Sequence, residues 1–132
     1  MKGYDAAFDA DRLLVICRVL PDFGDDHLAA LILDLDAAVT AARRHGPLRA
    51  LWDNRVGRIL SPETAEAVRL AFTGPEGRGD RVAVIVPDSM AKARSRATIT
   101  ANTELFASEH AALTWLSVGR HSVADPQSVS PA

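Results

Sequence analysis

The sequence predicts a single α/β domain, with a mixed, mostly parallel sheet of about five strands flanked by about four helices. Three observations lead there. Arg81 to Pro87, RVAVIVP, is apolar on both faces of a strand, which requires cover above and below, as in the middle of a parallel sheet. Two further short apolar runs, Leu13–Leu20 and Leu48–Trp52, are each followed by a longer helical pattern, the alternation of a βα chain. With 132 residues, 48% hydrophobic and 24% charged, the chain suits one globular domain that buries a core without disulfides or metals.

In order, Tyr4–Phe8 reads as a first strand, turned by Asp9, Ala10 and Asp11 into the second at Leu13–Leu20, so the two form a hairpin. Arg18 is the one charge in the second strand and places one end of one face near solvent or a partner. Pro21 stops the ladder because it has no N–H to donate. From Asp25 to about His45 the residues Leu28, Leu31, Ile32, Leu35 and Val39 form a helical apolar stripe, with Asp25 or Asp26 as the cap and Gly46-Pro47 as the break. The third strand, Leu48–Trp52, ends in the polar loop Asp53-Asn54-Arg55-Val56-Gly57-Arg58.

Ser61-Pro62-Glu63 opens a second helix: a serine cap, a proline at the first helical position and an acid in the first turn agree. Its core face is expected to use Ala65, Val68 and Phe72. A glycine-rich loop, Gly74–Asp80, leads to the central strand Arg81–Val86. A third helix follows over Ser89–Ala101 and carries Lys92, Arg94 and Arg96. A short strand, Glu104–Ala107, precedes a last helix capped by Ser108 that packs Ala112, Leu113, Trp115 and Leu116 on the sheet. Periodicity fades after Gly119, so the domain is expected over residues 1–119 and a disordered tail over 120–132.

A formal charge of −2 offers no field to gather nucleic acid, and no segment approaches the roughly 18 apolar residues of a membrane span. Acids in MKGYDAAFDAD occupy the place of a signal peptide's apolar stretch, and the single cysteine, Cys17, reads as a small buried hydrophobe. A cytoplasmic location is expected. The glycines Gly74, Gly77 and Gly79 precede a strand and lack the Gly-Lys-Ser/Thr of a phosphate loop. His27, His45, His110 and His121 are scattered, and no Gly-x-Ser-x-Gly elbow exists. No cofactor and no enzyme activity are expected.

The strand hairpin, the long helix, LRALWDN, the serine-capped second helix, RVAVIVP and ELFASEHAALTWL together resemble the SpoIIAA-like branch of the STAS superfamily, which contains the anti-sigma-factor antagonists. The resemblance spans about Tyr4 to Val118. It implies a mixed, mostly parallel sheet with helices on its faces and a binding or switching role without catalysis. Antagonists of that family typically end the third strand in Asp-Ser-[Ser/Thr]-Gly, whose second hydroxyl residue is phosphorylated. Here Asp53 matches the acid, but Asn54 and Arg55 stand in place of the hydroxyls. Ser61 is the nearest replacement hydroxyl, and its position before Pro-Glu is fully explained as a cap.

Ligands of open α/β sheets bind at the carboxyl ends of the strands, where the strand order reverses. That edge is expected to collect Asp53, Asn54, Arg55 and Arg58, with Pro87, Asp88 and Ser89 after the fourth strand and Ser61 beside them. The expected function is a non-enzymatic module that binds a protein partner, with a homodimer in view. The alternative is a carrier or sensor of a small apolar or anionic molecule held between sheet and helices.

Overall fold

The computed structural model describes residues 3–56, 59–72, 79–88 and 102–124, the last seven of these as backbone alone. It is a single small α/β domain. Strands β1 (Tyr4–Asp9) and β2 (Leu14–Val19) pair antiparallel, with Tyr4 opposite Val19 and Asp9 opposite Leu14. The Asp9 carboxylate fixes their turn by accepting from the backbone N–H groups of Asp11 (3.0 Å) and Arg12 (3.2 Å). Leu13 closes the turn at φ +53°, a left-handed conformation that leucine seldom adopts.

A 3-10 turn (Asp25–His27) runs into α1 (Leu28–Arg43), which buries Leu31, Leu35, Ala38, Val39 and Ala42 along one stripe. The helix therefore starts through the 3-10 turn, and neither Asp25 nor Asp26 caps it with a side chain. Beyond its end, Gly46 takes φ +127°, open to glycine and strained for other residues. Strand β3 (Arg49–Asp53) is buried along its whole length. Helix α2 (Pro62–Ala71) begins as expected, with Ser61 Oγ accepting from Thr64 N at 3.2 Å. Its inward face differs from expectation: Thr64, Val68 and Phe72 are buried, and Ala65 is exposed. The Thr64 hydroxyl donates to Asp25 Oδ1 at 2.9 Å, which satisfies a polar side chain in the place where an apolar one was expected.

Strands β4 (Arg81–Ile85) and β5 (Thr103–Phe106) complete a five-stranded sheet, and α3 (Glu109–Ala124) closes the fold. The strand order is β1-β2-β3-β4-β5, with only the first pair antiparallel. β4 is internal, as its two-sided apolar pattern requires. The expected reversal of strand order is absent from this sheet, because every crossover steps in the same direction. Helices α1 and α2 therefore share one face, over Val15, Cys17, Val19, Ala50, Trp52 and Val82. Helix α3 covers the other, where Leu14, Leu51, Ala83 and Ile85 meet Ala112 and Leu116.

Cys17 lies fully buried in the first core. The expected helix over Ser89–Ala101 with Lys92, Arg94 and Arg96, the loop glycines Gly74 and Gly77, and residues 125–132 of the expected tail lie outside the described residues. The helix α3 passes through Gly119 and continues to Ala124. No described helix is long and apolar enough to cross a membrane.

Candidate functional site

Because side chains alternate along strands, Arg18 of β2 and Asp53 of β3 stand on the α3 face, at the edge where the parallel strands end. Asp53 is 4% exposed, and its carboxylate is saturated. Arg55 donates from its backbone N–H (3.1 Å) and Nε (3.0 Å) to Oδ1, and from Nη2 (2.7 Å) to Oδ2. Arg18 Nη1 reaches Oδ2 at 2.6 Å. Both arginines also meet Glu109, the first residue of α3. Arg55 Nη2 lies 2.7 Å from Oε1, while Arg18 makes two longer contacts of 3.4 Å.

The result is a balanced square of two guanidiniums and two carboxylates. Burial pushes the Asp53 carboxyl up, but the hydrogen bonds from Arg55 and the charges of Arg55 and Arg18 outweigh it and hold the group below its ordinary value. The hydrogen bond from Arg18, with the charges of both arginines, holds Glu109 low as well. Carboxylates kept ionised by paired guanidiniums are poor proton acceptors at neutral pH, so this network is suited to positioning. It pins the start of the β3–α2 loop and the start of α3 to the end of the sheet.

Of the expected site residues, Asp53 and Arg55 come together here, and the Asn54 backbone N–H extends the sheet by donating to Ile85 O at 2.9 Å. Arg58 and Ser89 lie outside the described residues, and Pro87 and Asp88 are exposed. Ser61 belongs to a different group. Its hydroxyl donates to Asp25 Oδ1 at 3.1 Å, on the α1/α2 side of the sheet. Asp25 thus receives both Ser61 and Thr64 and sets a carboxylate beside the positive end of α2.

Sequence reasoning missed Glu109, which looks like an ordinary first-turn acid. The available signal was Arg18, a charge at the end of an otherwise apolar strand that needed a partner. It also missed the buried charges at the opposite edge. Asp80 holds Arg43 (2.9 Å) and the Leu48 backbone N–H (2.7 Å), while Arg49 donates to the carbonyls of Leu48 and Gly79.

The loop beyond Asn54 presents apolar side chains to water: Val56 is 43% exposed and Ile59 96%. Trp52 and Phe72, by contrast, pack edge to face at 6.3 Å inside the first core. His27 accepts from the Gly24 N–H and stacks on Phe23. Among the described residues no three His, Cys, Asp or Glu side chains are gathered as a metal site. No protein-family model, curated protein or solved structure matches the chain.

Proposed function

We propose that the protein is a non-enzymatic, STAS-like binding or regulatory module that acts through protein–protein contact, with the β3–α2 loop as its contacting surface. The observation that carries this reading is the exposure of Val56 and Ile59. Of the four large apolar residues exposed among the described residues, two fall within this one loop, next to half-exposed Arg55. Apolar side chains rimmed by fixed charges are the composition of an interface core and its edge. The Asp53 network supports the role by holding the base of the loop in one arrangement, which lowers the ordering cost of association.

The order of elements and the five-stranded mixed sheet are consistent with the STAS resemblance. In place of a phosphorylated hydroxyl the chain carries Arg55, whose charge is permanent and already engaged by Asp53 and Glu109. The contact is accordingly constitutive. Crosslinking and capture from the native cell with wild-type bait and with the Val56→Asp/Ile59→Asp variant, together with sedimentation of each, tests the reading. Partners or self-association lost from a variant that melts like wild type would support it. Identical recovery and identical sedimentation would end it.

A further inference from the structure

A cavity of about 150 Å³ lies between the sheet and α3, lined by Arg12, Leu14, Arg49, Leu113, Leu116 and Ser117. Leu14 and Arg49 are the first residues of β2 and β3, so the cavity sits at the opposite edge of the sheet from Asp53 and the β3–α2 loop. Three leucines give it apolar walls. Its charged members are two arginines, and the described lining holds no carboxylate. Arg49 is 2% exposed, with Nη1 fixed by the Leu48 and Gly79 carbonyls. Arg12 is held from the side by Asp9 at 2.9 Å and is half exposed. With exposed Ser117 it marks the mouth.

Shape and charge select a ligand class. Space of this volume, apolar on one side and polar on the other, accepts about one benzene ring, which is too little for a nucleotide or a long acyl chain. Guanidiniums held in place beside low-dielectric walls favour a planar anion over a neutral molecule, because a carboxylate matches their donor geometry. We propose that this cavity binds a small organic carboxylate whose apolar body is about the size of one six-membered ring, with the ring against Leu14, Leu113 and Leu116 and the carboxylate turned to the arginines. This site is independent of the protein-contact surface at the other edge.

Calorimetric titration of the full chain with benzoate, with benzyl alcohol as the neutral counterpart and with inorganic phosphate as the charge without the ring, tests it. Saturable one-site binding of benzoate is expected, at least about tenfold tighter than either comparator, with methyl NMR shifts at Leu14, Leu113 and Leu116. Ser117→Phe, placed at an exposed position on the rim, should weaken benzoate at least about tenfold with little change in melting temperature. Arg12→Gln should narrow the preference for benzoate over benzyl alcohol. Ile59→Asp should bind benzoate like wild type, which separates this site from the loop. No saturable binding of benzoate at millimolar concentration, equal affinity for the alcohol, or undiminished binding by a folded Ser117→Phe variant would each overturn the proposal.

Discussion

Arg18 and Asp53, 35 residues apart in the chain, are register partners on adjacent parallel strands and meet through a 2.6 Å ion pair at the end of the sheet. The pair belongs to the network that keeps Asp53 and Glu109 ionised. Asp53 and Glu109 are both held below their ordinary values, so they release their protons more readily in the folded chain than in the unfolded one. Their contribution is fully present above the unfolded values and is lost as pH falls through the lower, folded ones. Denaturant midpoints measured from neutral to strongly acid pH should therefore decline below the usual carboxylate range. In Arg18→Gln the folded values move up toward the unfolded ones, so the decline should be smaller, and superimposable profiles would show that the pairing adds nothing.

Arg55 reads in sequence as a free loop charge, and a free charge could be reversed with little effect on folding. The structure changes that expectation, since a glutamate at this position would face Asp53 and Glu109, with Arg18 the one other cation paired to them among the described residues. Arg55→Gln should cost about 0.5–1.5 kcal/mol, moderated because the arginine is half exposed. Arg55→Glu should cost more. Chemical denaturation of both variants checks the order, and equal stability of Arg55→Glu and wild type would refute it.

At Ser61 the cap and the Asp25 contact act together. Ser61→Ala should lose about 0.5–2 kcal/mol through the uncapped amide of Thr64. Aspartate is ordinarily an equivalent cap, but here it would stand against Asp25. Ser61→Asp should thus remain less stable than wild type, with a deficit that shrinks as salt is added. A full rescue by aspartate at low ionic strength would contradict this geometry.

At high pH two groups of the first core, Cys17 and Tyr4, are expected to lower stability. Burial pushes the Cys17 thiol up to about 12, and burial together with the hydroxyl's bond to Asp34 (2.7 Å) takes Tyr4 to about 12 as well. Both groups hold their protons more tightly when folded. The stability they give is complete below their unfolded values, 9.0 for the thiol and 10.0 for the phenol, and is lost as pH rises toward the folded ones. Urea midpoints should fall above about pH 9 in wild type and nearer pH 10 in Cys17→Ala. A flat profile into strongly alkaline solution would show that water reaches both groups in the native state.

The elements that sequence made legible are those fixed by local pattern. The two-sided run of β4, the stripe of α1 and the serine caps at Ser61 and Ser108 each depend on residues a few positions apart. The outward turn of Ala65 was hidden because the rotation of α2 answers to Asp25, 39 residues from its partner Thr64. Glu109 was hidden for the same reason, since its meaning lies in arginines 54 and 91 residues away. Arg49 starts β3 and Asp80 precedes β4, where a charge suggests solvent until the hairpin and α3 are seen to close over Arg49, and Arg43 and the Leu48 amide to engage Asp80. Strand order is a property of the whole chain, and no single segment announces it.

That order also governs how the molecule comes into being. Each strand pairs with the one synthesised just before it, so every addition to the sheet closes a single hairpin or a single crossover and never waits for a distant segment. Short closures cost less entropy and proceed faster, and a chain emerging from the ribosome can lay its sheet down from the first strand onward. The helix that covers the second face is made after all five strands. Until it arrives, Leu51, Ala83 and Ile85 stand open to water, so the growing chain is most prone to aggregate in the interval between the emergence of β4 and that of α3.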